Sequence, residues 1–415
     1  MNRPNLLLLG IDSLRADAVH GSHVATPNID SLSRNGACFT QCVATSTVTS
    51  PSFAAILTGC YPPQNGVRSL IGNRLSSSIE TLAECFSAGG YETHAEATGP
   101  LLPETGVLRG FDDVRHRDGY GGTFFEWRDP LVSRIAAYRE PWLLFLHVFE
   151  VHSPFRCPPD FRDGWDRNAY EKVVTATDKW LIPLFEALPD NTIVVVTGDH
   201  GETYPETSAE RRLQATGKWI RNNLHTIHWF PYLDRLLLNV TLGHGFSLDE
   251  DLIRVPLIIS GPHMPCARVD QQVRHVDIFP TVAELCGLDA PAEIEGRSLI
   301  PLLNGKPIPT VPAYMEVGRR REGRGTFAVR TEHWKLVQKR DLKPVMYRVN
   351  GIYLGDGKPR KDKVPDAYQV EKDIASLLKR ELDRVMSLSP EVASAMTKDE
   401  EAMVEDHLRN LGYLE

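Results

Sequence analysis

The sequence is organised around one stretch, Thr49-Ser50-Pro51-Ser52-Phe53, which is closed five residues later by Thr58-Gly59. It predicts a strand or loop that ends in a hydroxyl, followed by a short helix with proline in its first turn, where no N–H is needed. A hydroxyl at a helix start lies beside free backbone N–H groups and the positive end of the helix dipole, so Thr49 is a candidate nucleophile in an anion site. The alternative is an ordinary helix cap.

Length and composition restrict the class of protein. With 415 residues, 42% of them hydrophobic, the chain can form one large domain and a smaller one. The net charge of −8 argues against a nucleic-acid or anionic-membrane binder. Seven cysteines without a C-x-x-C pair predict reduced thiols in a cytoplasmic protein. The apolar run 5–11 is too short to span a membrane and lacks a cleavage region, so we expect a buried strand, with no signal peptide or anchor.

Strands and helices alternate through the first three quarters of the chain. Apolar runs at 6–11, 142–148 and 192–197 are typical of central strands that are covered on both faces. This alternation predicts an α/β fold with a doubly wound, mainly parallel central sheet. The remaining predicted elements are strands at 91–97 and 255–260 and helices at 26–35, 79–88, 127–138, 170–188 and 276–286.

The pattern changes near residue 306, which predicts a catalytic domain over 1–305 and a C-terminal α+β subdomain over 306–415. The segment 203–243 interrupts the rhythm and is either a lid that offers positive charge to an anionic substrate or a dimer contact. Arg319-Arg320-Arg321 is interpreted as a solvated loop. The subdomain is predicted to contain a small antiparallel sheet, with strands at 313–317, 326–330, 334–338 and 345–349, and helices at 369–386 and 398–411.

Polar side chains follow the ends of the predicted strands, where catalytic groups of open α/β sheets gather. Asp12 is either a metal ligand or a helix cap, whereas the adjacent Asp199 and His200 suit a divalent metal site that a hydroxyl could complete. A metal bound to Thr49 would lower the pKa of its hydroxyl. His152 and His244 could hydrogen-bond a phosphoryl or sulfuryl group or protonate a leaving group.

The order and spacing of these motifs resemble the alkaline phosphatase superfamily, and most closely its sulfatase-like branch. The resemblance covers residues 5–303 and implies that family's fold. Its motifs in this chain are Asp12-Ser-Leu-Arg15-Ala-Asp17, Thr26-Pro-Asn-Ile-Asp30, Thr49-x-Pro-Ser-x5-Thr58-Gly59, Gly110-Phe111-Asp112, His152-x-Pro154, Thr197-Gly-Asp199-His200-Gly201-Glu202, Gly243-His-Gly, Arg254-Val-Pro256-Leu and Asp277-x-x-Pro280-Thr281.

Four departures from the sulfatase pattern bear on the reaction. Sulfatases have Cys or Ser at the position of Thr49, oxidised to formylglycine, but threonine carries a methyl on its β-carbon and would give a ketone. Phe53 replaces the arginine that positions the modified residue, and Ser13 replaces the second aspartate of a metal-binding pair. Gly99-Pro100-Leu101-Leu102 replaces a Gly-Lys-x-His motif that contacts sulfate. These losses argue against sulfate-ester hydrolysis.

A threonine nucleophile instead resembles the phosphodiesterase, nucleotide pyrophosphatase and phosphoethanolamine or phosphoglycerol transferase branches. By that resemblance, one divalent metal, Zn or Mn, is held by Asp12, Thr49, Asp199 and His200. The two substrate-binding histidines of those branches correspond to His152 and His244, and a second metal at these histidines stays open. The catalytic residues are then Thr49, His152 and His244.

These observations lead to a hypothesis: a soluble, metal-dependent hydrolase of phosphate mono- or diesters that forms a covalent intermediate on Thr49. The expected partner is a small anionic phosphoester or sulfate ester, with no nucleic acid and no membrane, and a homo-oligomer is left open. The alternatives are a sulfuric ester hydrolase of the sulfatase family, a soluble phosphotransferase and, more remotely, a non-catalytic metal- or ligand-binding homologue.

Overall fold

The chain contains two β-sheets, a large one that carries the core and a small C-terminal one. The computed structural model describes residues 3–117, 124–155, 157, 169–204, 209, 212–213, 216–217, 220, 243–318, 325–339, 342–349, 371–392 and 394–411. Most of the predicted lid segment 203–243 and the arginine run 319–321 lie outside these residues. No helix in the described ranges is long and apolar enough to cross a membrane.

The large sheet has nine described strands in the order β4-β3-β5-β1-β6-β7-β2-β8, with β9 beside β2. Its central strands pair in parallel, β1 with β5 on one side and with β6 on the other. All three are buried along their whole length, as their apolar runs predict. The strands are β1 (Asn5–Ile11), β2 (Ala37–Val43), β3 (Glu92–Thr98), β4 (Asp113–Arg117), β5 (Trp142–Val148), β6 (Thr192–Gly198), β7 (Arg254–Ser260), β8 (Ala267–Val269) and β9 (Val273–Arg274).

The doubly wound, mainly parallel sheet is confirmed, with one antiparallel strand inside it. β7 pairs antiparallel with both β6 and β2. β2 was not predicted because Thr40 and Gln41 interrupt its apolar pattern, although both side chains are buried. The register between β2 and β7 shifts between Phe39 and Cys42, so regular alternation is lost there.

The helices cover both faces of this sheet, and several differ in extent from the prediction. The expected helix 170–188 is two helices, with Pro183 in the first turn of the second. The helix expected from 79 begins at Leu82, because Thr81 and Glu84 form a capping box. The described helices are α1 (Ala16–His20), α2 (Pro27–Arg34), α3 (Thr49–Thr58), α4 (Pro62–Asn65), α5 (Leu82–Ala88), α6 (Phe124–Ile135), α7 (Ala169–Trp180), α8 (Ile182–Ala187), α9 (Glu250–Ile253), α10 (Ile278–Leu285), α11 (Ile300–Leu303), α12 (Lys372–Met386) and α13 (Lys398–Asn410).

The small antiparallel sheet of the C-terminal region is also confirmed. Its strands follow the order β10-β11-β12-β13, with β10 at Ala313–Val317, β11 at Thr326–Arg330, β12 at Trp334–Lys339 and β13 at Val345–Arg348. The edge strand β10 contacts the segment that leads to α3, where the backbone N–H of Glu316 donates to the Thr45 carbonyl at 2.9 Å. The small sheet therefore supports the loop that precedes Thr49.

Candidate active site

Three acidic and imidazole side chains meet beyond the ends of the central strands β1 and β6. The candidate ligand atoms of Asp12, Asp199 and His200 lie within 4.8 Å of one another, and all three residues are buried. Asp12 follows β1 directly and Asp199 follows β6 directly. Because these two strands are neighbours and run parallel, the two carboxylates are brought to the same edge of the sheet.

This cluster has the features of a cation site. Asp199 Oδ1 accepts hydrogen bonds from the backbone N–H groups of Ser13 and His200, at 2.9 and 2.8 Å. His200 Nδ1 donates to the Gly201 carbonyl at 2.9 Å. Asp199 Oδ2 and His200 Nε2, which lie 3.3 Å apart, are buried and have no hydrogen-bond partner. Buried polar atoms without partners are costly, so their arrangement fits a divalent cation.

Ser13 occupies the position where the resemblance expects a second aspartate. Its hydroxyl donates to Asp12 Oδ1 at 2.8 Å, and its backbone has a φ of 60°, which is uncommon for a residue other than glycine. That conformation accompanies the hydrogen bond from its N–H to Asp199. Ser13 thus holds both carboxylates of the cluster without adding a third negative charge.

Thr49 is the first residue of α3 rather than the residue ahead of it. The N-cap is Val48, and no side chain caps the helix, so the capping alternative for Thr49 is wrong. Its hydroxyl donates instead to Asp12 Oδ2 at 3.2 Å. The same alternative fails for Asp12, because the N-cap of α1 is Arg15. The structure therefore places the Thr49 hydroxyl beside the cluster of Asp12, Asp199 and His200.

The two predicted substrate-binding histidines also come together here. The Nε2 atoms of His152 and His244 lie 3.3 Å apart, and the His244 ring lies 4.4 Å from the ring of His200. His152 Nδ1 donates to the Ser153 carbonyl at 2.5 Å, and His244 Nδ1 contacts Glu202 Oε2 at 3.1 Å. Both Nδ1 atoms are held in this way, so both Nε2 atoms are directed into the space beside the cluster.

Glu202 is a site residue to which sequence reasoning assigned no role. It belongs to the Asp199–Glu202 motif and is completely buried. Gly243 makes this possible, because a Cβ atom there would lie 1.6 Å from Glu202 Oε1. The glycine of the Gly-His-Gly motif therefore allows the carboxylate to approach the backbone of the segment that carries His244.

The pKa values of the two clustered carboxylates move in opposite directions. Burial would raise the pKa of Asp12, but the imidazole of His147 beside it and the charges of His152 and His200 hold that pKa well below its usual value. Burial and the neighbouring charge of Asp12 raise the pKa of Asp199. Two buried carboxylates at this separation repel each other, so the cluster is stabilised by added positive charge.

The pKa values of the two histidines are also separated. Burial lowers the pKa of His152 to about 4, and the nearby His244 adds to the effect. Burial would also lower the pKa of His244, but the Glu202 carboxylate beside it raises that pKa above its usual value. A pair whose pKa values are separated in this way can divide the roles of acid and base. Protonated His244 can then donate through Nε2 to neutral His152.

Sequence reasoning also assigned no role to His147. This residue lies in β5, and its Nε2 atom is 3.4 Å from Asp12 Oδ2. The sequence signal that could have found it is a single histidine within the otherwise apolar run Trp142–Val148, and the structure shows this histidine to be completely buried.

Comparison with known families supports the assignment of the fold. The family model described as Sulfatase matches residues 4–288, which is more than half of the chain. The chain belongs to the sulfatase family. A second model, described as the C-terminal region of N-sulphoglucosamine sulphohydrolase, matches residues 246–348. The predicted membership of the alkaline phosphatase superfamily is thereby confirmed.

Two curated relatives align with this chain over similar shares of both sequences. An uncharacterized sulfatase, YidJ, of Escherichia coli (strain K12) is 24% identical over 356 residues, which cover 72% of this chain and 71% of the relative. A Delta 4,5-hexuronate-2-O-sulfatase of Bacteroides thetaiotaomicron is 24% identical over 360 residues, which cover 73% of this chain and 72% of the relative.

Solved structures show the same fold at low sequence identity. The phosphonate monoester hydrolase of Agrobacterium radiobacter superposes with a TM-score of 0.68 and 18% identity, covering 93% of this chain and 95% of the other. A protein solved in complex with its substrate, D-glucosamine-2-N,6-O-disulfate, superposes with a TM-score of 0.70 and 18% identity, covering 92% and 98%. These likenesses show the fold, and the family match shows membership of the sulfatase family.

Proposed function

We propose that this hydrolase uses Thr49 as its nucleophile, beside a divalent cation held by Asp12, Asp199 and His200. The observation that carries the proposal is the 3.2 Å contact between the Thr49 hydroxyl and Asp12 Oδ2, at the edge of the cation cluster. A hydroxyl in the first turn of a helix also lies where the helix dipole favours an anion. The substrate is therefore expected to present a tetrahedral anionic group to Thr49.

The first candidate substrate is the sulfate ester of a small molecule. The curated relatives are named sulfatases, and one structural neighbour was solved with a sulfated glucosamine as its substrate. These names support the sulfatase alternative better than the phosphate ester that the sequence favoured.

The second candidate is a phosphate ester, for which Thr49 itself is the specific observation. Its β-carbon carries a methyl, so the aldehyde on which the formylglycine sulfatases depend cannot form at this position. A threonine hydroxyl can instead attack phosphorus or sulfur directly. The solved neighbours include a phosphonate monoester hydrolase, which acts at phosphorus.

The buried side chains divide the proposed reaction into two steps. In the first step, the Thr49 hydroxyl loses its proton to solvent, and Oγ forms a bond to phosphorus or sulfur as the bond from that atom to the leaving oxygen breaks. His244 Nε2 gives the leaving oxygen its proton. In the second step, His152 Nε2 accepts a proton from water, whose oxygen bonds to the central atom as the bond to Thr49 Oγ breaks and Thr49 leaves as the alkoxide. A sulfate ester yields sulfate, a phosphate monoester yields inorganic phosphate and a diester yields a monoester. His152 Nε2 then returns the proton to His244 Nε2, which lies 3.3 Å away. A bound divalent cation would lower the pKa of the Thr49 hydroxyl so that the oxygen attacks as an alkoxide.

Turnover of matched aryl esters tests this proposal. The purified protein is assayed with 4-nitrophenyl sulfate, 4-nitrophenyl phosphate and a 4-nitrophenyl phosphodiester, each with and without Mn²⁺ or Zn²⁺. Metal-dependent turnover of any of them that is lost on replacing Thr49 supports the proposal, and the ratio of rates ranks the sulfate ester against the phosphate ester. Transfer to an added alcohol in place of water would favour the phosphotransferase alternative. Absence of turnover together with absence of bound metal would favour the non-catalytic alternative.

The cytoplasmic location and the homo-oligomer stay predictions. All seven cysteines are free thiols in the structure.

Removal of the metal is expected to abolish turnover and to lower stability. Chelation leaves Asp12 and Asp199 as two buried, adjacent carboxylates, whose repulsion the cation had offset. Dialysis against a chelator, followed by titration with Mn²⁺ or Zn²⁺, should restore activity and raise the melting temperature together. Full activity in protein shown by elemental analysis to contain no metal would contradict the prediction.

The pH profile is expected to depend on Glu202. If protonated His244 is the acid, activity falls as the pH rises through the pKa of His244, which Glu202 raises. Glu202→Gln removes that negative charge and should move the alkaline limb of the kcat profile to lower pH. Glu96→Gln is the control, because it neutralises a buried carboxylate that pairs with Arg134 outside the site. An unshifted limb in Glu202→Gln would rule out His244 as the acid.

A further inference from the structure

His147 lies near the end of β5, beside Asp12 of the candidate site. It is completely buried in β5 and pairs in register with Gly10 of β1. Its Nδ1 lies 3.1 Å from the Thr98 carbonyl oxygen, which can only accept, so Nδ1 is the donor. Its Nε2 has no hydrogen-bond partner and lies 3.4 Å from Asp12 Oδ2. That carboxylate oxygen also accepts the hydroxyl hydrogen of Thr49.

The orientation of this imidazole is fixed by packing. The ring of Phe53 meets it edge to face, with centroids 4.9 Å apart. Gly10 makes room for Phe53, because a Cβ atom on Gly10 would lie 2.4 Å from the phenyl ring. Phe145 also packs edge to face with Phe53, with ring centroids 5.2 Å apart. The Nε2 atom of His147 is therefore held toward Asp12 by a rigid apolar support.

We infer that His147 is a positioning residue for the reaction proposed above: its Nε2 donates to Asp12 Oδ2 and so fixes the oxygen that orients the Thr49 hydroxyl. His147 does not belong to the group of three residues whose ligand atoms lie within 4.8 Å of one another. It therefore acts on the cation site through Asp12. Hydrogen bonds to ligating carboxylates commonly set metal affinity and activity in this way.

Two isosteric variants separate this role from simple packing. In His147→Asn the amide nitrogen replaces Nδ1, so the bond to the Thr98 carbonyl is kept and the donor toward Asp12 is lost. In His147→Gln the amide nitrogen reaches the place of Nε2, so the donor toward Asp12 is kept and the bond to Thr98 is lost. If the role of His147 is purely structural, His147→Asn should retain more metal affinity and activity than His147→Gln. If His147 positions Asp12, His147→Gln should retain more of both.

The measurements are the dissociation constant for Mn²⁺ or Zn²⁺, by competition with a chromophoric chelator, and kcat and KM for the best aryl ester. We expect His147→Asn to weaken metal binding and to lower kcat, each by about 10- to 100-fold, with little change in KM. His147→Gln should restore most of both losses. His94→Asn is the control, since His94 is also a buried imidazole but stacks on Tyr138, with ring centroids 3.7 Å apart.

Each other outcome overturns the inference. Parental metal affinity and kcat in His147→Asn would mean that the contact with Asp12 has no role. Equal losses in both variants, with parental melting temperatures, would mean that the ring is a ligand or a packing element instead. Metal affinity is measured without substrate, so a failure of the Thr49 reaction would leave the comparison of Asn with Gln intact.

Discussion

Thr49→Val is expected to lower kcat by about 10⁴-fold or more, the scale of loss seen when a nucleophile is removed. Valine keeps the shape of threonine at this buried position and removes only the hydroxyl that contacts Asp12. The fold should tolerate the change, with a loss of about 1 kcal/mol in the free energy of unfolding for one hydrogen bond. Steady-state kinetics and a thermal melt measure the two effects separately.

Two neighbouring variants serve as controls for Thr49→Val. Thr49→Ser keeps a hydroxyl and should retain most of the turnover. Ser50→Ala removes the next hydroxyl, which donates to the Pro100 carbonyl at 3.0 Å and has no proposed role in the reaction. Turnover by Thr49→Val within a few-fold of the parent would show that the nucleophile lies elsewhere.

Asp199→Asn is expected to have opposite effects on metal binding and on the stability of the metal-free protein. Asparagine keeps Oδ1, which accepts from the N–H groups of Ser13 and His200, and replaces the unpartnered, charged Oδ2 by an amide. Loss of that ligand should weaken metal binding by more than about 100-fold, beyond what supporting residues contribute. Activity should fall in parallel.

The stability change follows from the sign of the pKa shift. The pKa of Asp199 is raised in the folded protein by burial and by Asp12, so ionisation at neutral pH destabilises the metal-free fold. Asp199→Asn removes this penalty and should stabilise the chelator-treated protein by about 1 kcal/mol, within the range found when buried ionic groups are replaced. Thermal melts with and without a chelator measure this effect.

The same substitution at a buried carboxylate outside the site is the control for Asp199→Asn. Asp178 accepts hydrogen bonds from the backbone N–H groups of Asn28 and Ile29. Asp178→Asn should leave the metal affinity at the parental value; because burial also raises the pKa of Asp178, this variant is the control for metal binding and not for stability. A metal-free Asp199→Asn protein that melts below the chelator-treated parent would contradict the carboxylate-repulsion account.

Much of the fold and most of the site could be predicted from local patterns. β1 and β6 are recognisable as buried strands because their apolar runs need no knowledge of their neighbours. Asp199 and His200 could be placed at the cluster because they follow such a strand directly, and parallel neighbours end at one edge of the sheet.

The parts that could not be predicted depend on contacts between distant segments. β2 is a buried strand that contains Thr40 and Gln41, whose side chains find partners near Asp270, so its polar residues obscure the pattern. Glu202 and His147 look like ordinary motif and strand residues until His244 and Asp12 are brought to them. The preference for a phosphate ester came from Thr49 and three neighbouring losses, but the substrate of a family member is not set by one side chain.

The most direct test is to trap the intermediate on Thr49. The enzyme is mixed in excess with its best aryl ester, quenched in acid within one turnover, digested and analysed by mass spectrometry. We expect a peptide containing Thr49 that carries one phosphoryl or sulfuryl group, with fragment ions that place the group on Thr49, and no such peptide from Thr49→Val. Single-turnover product formation with an unmodified Thr49 peptide at every quench time, or a group located on another residue, would contradict it.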